Sequence, residues 1–222
     1  MVTTVYHTHT RNLFIDALWE DPIPLIKDIQ EDFRGFETYQ RVMKCPSFRD
    51  HVKNTYVIKS PIEFKIEWNE QSRIVSDKAG VFSDTLYPHV EILTGDQAIF
   101  FAESSVQIEV LPAFLHKDMP RLPFLSGSYD IGKWCRPVHP TFLFERGETL
   151  HIKENQPLMY VRFDQKVKLK RFRYTEAFDT EMQGIIQTRD LKSHGRLEGF
   201  YDFFQRTRRR KFLINEIKNN LL

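Results

Sequence analysis

The sequence predicts a mainly β protein, built as an antiparallel sandwich, jelly roll or clipped barrel with a C-terminal helical extension. Residues 140–163 contain three short apolar alternations separated by two turn signals, which is typical of short strands. Residues 62–68 and 106–110 alternate apolar and polar side chains, as half-exposed antiparallel strands do. After Tyr174 the spacing of apolar residues becomes helical. Many short strands followed by helices favour a sandwich or barrel over alternating strand and helix units.

Composition indicates a soluble globular chain. Of its 222 residues, 41% are apolar and 28% charged, so the chain can bury a core and remain soluble. There is no run of about 20 apolar residues, so we expect neither a membrane span nor a membrane partner. The first residues lack the basic and apolar regions of a secretory signal, so no secretion by a signal peptide is expected. Cys45 and Cys135 lack CxxC spacing, which predicts two reduced, buried thiols and no zinc site.

The predicted organisation is one structural domain with three parts. An N-terminal wrapping arm covers 1–55, an antiparallel β core covers 56–174 and a C-terminal helical extension covers 175–222. Within the arm, the polar start that contains His7 and His9 is expected to fray. The rest of the arm is punctuated by prolines and predicts a short helix at about 25–39 that wraps the sheet.

Turn and cap residues mark the boundaries of the predicted elements. Gly95-Asp96 is a hairpin signal, Gly147 supplies the positive φ of a turn, and Pro157 fixes where the next strand begins. Thr175 is placed to cap a first helix, and a second helix is predicted from about 197 onward. The predicted strands before residue 140 comprise residues 56–58, 62–68, 73–75, 89–93, 97–102 and 106–110.

Charge is distributed unevenly, although the net charge is only +2. Residues 16–37 carry seven carboxylates, whereas 162–173 carry six cations and 206–211 carry five. This predicts contact between acidic and basic segments, within or between subunits, or an anionic partner. The candidate partner-binding residues are Arg206, Arg208, Arg209, Arg210 and Lys211. They surround the predicted helix and do not form one basic face, so a protein partner or self-association is favoured over nucleic acid.

A candidate iron site offers an enzymatic alternative. His89 and Glu91 share one face of a predicted strand, and His151 lies on a later strand. Together they match the two-histidine, one-carboxylate triad of non-haem iron oxygenases. Arg162 then has a spacing that resembles the oxoacid-binding arginine of 2-oxoglutarate oxygenases. This alternative requires Fe(II) and 2-oxoglutarate, whereas the favoured function needs no cofactor.

Residues 128–132 and 147–157 together resemble the dUTPase pattern. The resemblance implies nucleotide binding or hydrolysis, with Asp130 as the base that activates water. The chain lacks the Arg-Ser-Gly element that cradles phosphate in that family, and residues 112–115 stand in its place. P-loop, Gly-x-Ser-x-Gly and Gly-x-Gly-x-x-Gly motifs are also absent from the sequence, which favours a non-catalytic function.

A broader resemblance involves four segments, 44–50, 53–61, 129–137 and 156–163. These segments resemble an uncharacterised protein family of large tailed phages, especially marine T4-like phages, with distant bacterial relatives. The resemblance implies a viral origin and a location in the host cytoplasm or the virion, and it brings no activity.

The third of these segments contains a candidate pocket formed by Asp130, Lys133 and Arg136. From the whole sequence, the favoured interpretation is a phage-encoded, non-catalytic binding or assembly protein. In this interpretation, the C-terminal helix associates with a protein partner or with a second copy of the chain.

Overall fold

Strands outnumber helices in the computed structural model of the chain, so the predicted mainly β fold is confirmed. The structure describes residues 2–10, 20–32, 37–68, 74–76, 80–83, 89–93, 97–119, 121–145, 147–192, 204 and 206–222.

The strands are β1 (Thr3–His9), β2 (Ile23–Pro24), β3 (Thr55–Lys59), β4 (Phe64–Trp68), β5 (Ile74–Ser76), β6 (Gly80–Ser83), β7 (His89–Leu93), β8 (Ala98–Ala102), β9 (Gln107–Leu111), β10 (Gly127–Asp130), β11 (Pro137–Val138), β12 (Thr141–Leu143), β13 (Thr149–Ile152), β14 (Pro157–Phe163) and β15 (Val167–Arg171). The helices are α1 (Leu25–Asp32), α2 (Glu37–Lys44), α3 (Pro46–His51), α4 (Glu176–Lys192) and α5 (Arg208–Asn219).

These strands form four open sheets. Sheet A has the order β11-β8-β1-β15, and sheet B has the order β10-β9-β14-β3-β2. Sheet C is β13-β4-β5, and sheet D is β12-β7-β6. The described strand pairs are antiparallel, as predicted, except that β1 and β15 run parallel. The prediction that the first residues fray is wrong, because β1 lies between β8 and β15 and buries His7 and His9.

The main core lies between sheets A and B, which pack as a sandwich. Val5 and Phe100 from sheet A meet Ile108, Val161 and Phe163 from sheet B. The Phe100 and Phe163 rings pack edge to face, with centroids 5.8 Å apart.

Helices cover the outer face of sheet A. Phe178 of α4 and Leu213 and Ile217 of α5 pack against Phe101 of β8. Because both faces of sheet A are covered, all five residues of β8 are buried. The cap predicted for α4 is present, since the Thr175 hydroxyl accepts a hydrogen bond from the Phe178 N–H at 3.1 Å.

The outer face of sheet B is covered by the N-terminal helices. Leu25 and Ile29 of α1, together with Val52 after α3, pack on Val57 and Tyr160. A salt bridge of 3.2 Å between Asp21 and Arg171 joins the acidic and basic segments within one chain, which is one of the contacts that the charge distribution predicts.

Sheets C and D share a smaller core that includes Phe64, Ile66 and Phe142. The three strands predicted within 140–163 are present as β12, β13 and β14, but they belong to three different sheets. Gly147 has φ +89°, as its turn requires.

Both cysteines are free, but only Cys135 is buried as predicted, whereas Cys45 is exposed. Burial raises the pKa of the Cys135 thiol to about 12, so this side chain is inert at neutral pH. In the described part of the chain, no helix has the length and apolar character needed to cross a membrane.

Candidate functional site

A basic cleft opens between the edge of sheet A and the adjacent edge of sheet B. Its volume is about 550 Å³, within the range of small-ligand pockets. Lys166 and Val167, at the start of β15, form one side. Pro24 of β2 and Tyr56 of β3 form part of the other side. The cleft therefore lies where the sandwich is open to solvent.

A tight turn between α3 and β3 shapes this cleft. Asn54 adopts a left-handed conformation with φ 56°, which asparagine tolerates better than most residues. Its carbonyl accepts a hydrogen bond of 3.0 Å from the N–H of Phe163, so the turn is anchored to the end of β14. This turn places Lys53 at the rim of the cleft and Thr55 on its wall.

The rim of the cleft is cationic, whereas its floor is apolar. Among the described residues that line the cleft, four are exposed cations and one, Asp50, is a carboxylate. Val52 and Val167 are buried beneath them, and burial raises the pKa of the Tyr56 phenol. Within the described ranges, no carboxylate forms a salt bridge with any of the four cations, Lys44, Arg49, Lys53 and Lys166. This arrangement suits a ligand that is both anionic and partly apolar.

A buried polar network underlies a second cavity of about 380 Å³. The two ring nitrogens of His116 lie 2.8 Å from Asp28 Oδ2 and 2.6 Å from Tyr160 Oη. Lys59 Nζ lies 2.8 Å from the other Asp28 oxygen, and the Leu115 N–H donates to Tyr160 Oη at 3.1 Å.

The hydrogen bonds of this network depend on the charge of Asp28. Burial raises the pKa of Asp28, but the hydrogen bonds from His116 and Lys59 lower it further, so the net pKa is below its usual value. Because an ionised carboxylate only accepts hydrogen bonds, His116 Nε2 donates to Asp28, and His116 Nδ1 shares a hydrogen bond with the Tyr160 hydroxyl. Both ring nitrogens are thus engaged within the protein, and the network ties α1 to β14.

The cations predicted to bind a partner are divided between structural and exposed positions. Arg209 forms a salt bridge of 3.4 Å with Glu181 of α4. Arg210 donates to the backbone carbonyl of Glu103 at 2.6 Å and lies over the ring of Phe101. The other three, Arg206, Arg208 and Lys211, are exposed.

Asp130 has a defined role in a tight turn. Its carboxylate accepts hydrogen bonds from the Ser105 hydroxyl at 2.6 Å and from the backbone N–H groups of Val106 and Gly132 at 3.2 and 2.8 Å. These contacts stabilise the turn that leads from β10 of sheet B to β11 of sheet A.

The two residues predicted to share a pocket with Asp130 lie farther along the segment from β10 to β11. Lys133 is exposed, and Arg136 stacks on Trp134 with its guanidinium 4.6 Å from the ring centroid. The two cavities described above do not include these three residues.

The residues of the predicted iron site belong to separate sheets. His89 and Glu91 lie on β7 of sheet D, and their side chains are outside the described residues. His151 lies on β13 of sheet C, where its Nε2 is 2.8 Å from Glu63 Oε1. Arg162 pairs across strands with Glu109 at 2.5 Å. Among the described residues, no cluster of three or more His, Cys, Asp or Glu is arranged to hold a metal ion.

Sequence reasoning did not identify the basic cleft, because its cations come from separate segments. Lys44, Arg49 and Lys53 flank α3, whereas Lys166 lies more than one hundred residues later. Two segments singled out from the sequence, 44–50 and 53–61, both contribute residues to this cleft. Comparisons with protein-family models, curated proteins and solved structures found no match.

Proposed function

We propose that this chain is a non-catalytic binding protein whose basic cleft holds an acidic segment of a partner protein. The observation that supports this proposal is the cleft itself, where four exposed cations surround an apolar floor. None of the four cations forms a salt bridge with a described carboxylate, so a ligand that binds them displaces no ion pair among the described residues.

The expected energies favour a ligand that combines negative charge with apolar groups. Four exposed ion pairs contribute about 1–4 kcal/mol together. A micromolar complex requires about 8 kcal/mol. The difference must come from apolar contact with the accessible apolar residues that line the cleft, since burial of apolar surface contributes about 25 cal/mol per Å². These residues are Pro24, Ile26, Pro46 and Tyr56. A peptide with both acidic and apolar side chains meets both requirements.

The resemblance to the phage family supports a phage or host-cell protein as the partner, in the host cytoplasm or the virion. Nucleic acid is less suitable, because Tyr56 is the one aromatic side chain among the described residues that line the cleft, so the stacking surface for bases is small.

The direct test is binding of a fluorescent eight-residue peptide of alternating Glu and Val, followed by anisotropy at two salt concentrations. In the cleft variant, Arg49→Glu and Lys53→Glu are combined. In the matched control, Arg208→Glu and Lys211→Glu make the same charge change on exposed positions of α5. We expect the cleft variant to weaken binding at least tenfold, because two attractive pairs become repulsive, and the control to bind like the wild type.

The other outcomes are equally informative. Loss of binding in the α5 variant alone would move the site to the C-terminal cations. Tighter binding of a single-stranded oligonucleotide than of the peptide would replace the protein partner by nucleic acid. No binding of any probe would refute the proposal.

A further inference from the structure

We infer that the acidic segment binds in an extended conformation and adds an antiparallel strand to the open edge of β15. This inference rests on the proposed function and specifies how the same cleft recognises its partner. Lys166 and Val167 form one side of the cleft at the start of β15, so a segment that lies against this side is next to the edge of β15.

Every second residue of β15 has backbone N–H and C=O groups that are directed away from β1 and can pair with an added strand. In a parallel ladder, alternate residues direct both their N–H and C=O groups to the same neighbour. The Phe172 N–H bonds to the His7 carbonyl of β1, so Phe172, Lys170 and Lys168 face β1. Val167, Leu169 and Arg171 therefore direct their backbone groups away from β1, towards the open edge.

The C-terminal residues 220–222 already pair with one end of this edge, at residues 171–173. Leu221 forms an antiparallel bridge with Phe172, the Leu222 N–H donates to the Arg171 carbonyl at 3.0 Å, and the Arg173 N–H donates to the Asn220 carbonyl at 2.8 Å. No described residue supplies the same contacts to Val167 and Leu169. Buried or partly buried backbone groups gain stability from such partners.

Side chains on β15 specify the pattern of the added strand. Val167 and Leu169 face the sandwich core, whereas Lys168 and Lys170 face the opposite side. Opposite residues in neighbouring strands share a face, so the partner strand should present apolar side chains inward and acidic side chains towards the lysines. The same lysines repel the β15 edge of a second copy, because like charges directly opposite destabilise a pair.

The test uses two N-methylated forms of the alternating Glu and Val peptide. In an antiparallel pair, the residues opposite Val167 and Leu169 exchange both backbone hydrogen bonds with them. These are the valines of the peptide, so methylation of the valine nitrogens removes the required donors. Methylation of the glutamate nitrogens alters the other edge and serves as the matched control.

Wild-type protein is used throughout, with affinity and amide hydrogen exchange as the two readouts. We expect the valine-methylated peptide to bind at least tenfold more weakly than the glutamate-methylated one. We also expect the parent peptide to slow exchange at the Val167 and Leu169 amides at least tenfold, with little change at Lys168 and Lys170.

Failure of this inference is distinguishable from failure of the proposed function. If both methylated peptides bind like the parent and the Val167 and Leu169 amides stay unprotected, strand addition is refuted while cleft binding stands. If the parent peptide does not bind, both are refuted.

Discussion

His7 should make the stability of this protein fall as the pH falls from 7 to 5. It lies on the central strand β1, is only 6% exposed and has the Phe100 ring 6.4 Å away. Burial lowers its pKa from 6.5 to about 4; Arg171 adds to this effect and Asp21 opposes it. The folded state therefore holds His7 neutral at a pH where the unfolded chain takes up a proton. Since the unfolded state binds more protons, acidification favours unfolding.

The size of the effect follows from the two pKa values of His7. A full shift from 6.5 to about 4 corresponds to about 3 kcal/mol, lost progressively as the pH falls through that window. Between pH 7 and pH 5 the expected loss is about 2 kcal/mol. The matched variant is His7→Gln, which is polar and does not titrate.

Urea unfolding, followed by tryptophan fluorescence at several pH values, measures this effect. The quantity of interest is the free energy of unfolding of the wild type minus that of the variant at each pH. We expect this difference to fall by about 2 kcal/mol from pH 7 to pH 5, because the constant packing cost of the substitution cancels. A difference that stays within about 0.5 kcal/mol over this range would refute a buried, neutral His7.

Three further predictions concern other parts of the structure. Gly132→Ala should lower the free energy of unfolding by about 1–3 kcal/mol, because its new Cβ would clash with the backbone carbonyl of Ser104. Gly127→Ala, whose new Cβ meets open space, should change it by less than about 0.5 kcal/mol in the same urea assay. Tyr160→Phe should lower the free energy of unfolding by about 1–3 kcal/mol, because His116 Nδ1 and the Leu115 N–H both lose their hydrogen-bond partner. Tyr56→Phe, measured in the same assay, serves as its control. Protein reconstituted with Fe(II) should hold far less than one iron per chain by metal analysis. Near-stoichiometric iron that is lost in His151→Ala would instead favour the oxygenase.

Local signals in the sequence predicted local structure well. Gly147 occupies a turn with positive φ, and Thr175 caps α4, because each feature depends on residues close in sequence. The strands within 140–163 were also identified from their alternation. Their division among three sheets was not, because pairing depends on β3, β4 and β7, which are distant in sequence.

The N-terminal strand was wrongly predicted to fray for the same reason, because its partner strands are distant in sequence. Residues 3–9 include only two strongly apolar side chains, Val5 and Tyr6, so their local pattern resembles a polar tail. They become a central strand because β8 and β15 supply both backbone ladders. The basic cleft was missed for a related reason, since its cations become neighbours only when sheets A and B meet.

The position of β1 in sheet A also bears on the order of folding during synthesis. One neighbour of β1 is completed only at Ala102, and the other only at Arg171. Contacts so distant in sequence slow folding, because the chain loses much conformational entropy before the pairing stabilises it. A nascent chain shorter than residue 167 leaves one edge of β1 open to other chains. Completion of β15 should therefore mark the stage at which the growing protein becomes resistant to aggregation.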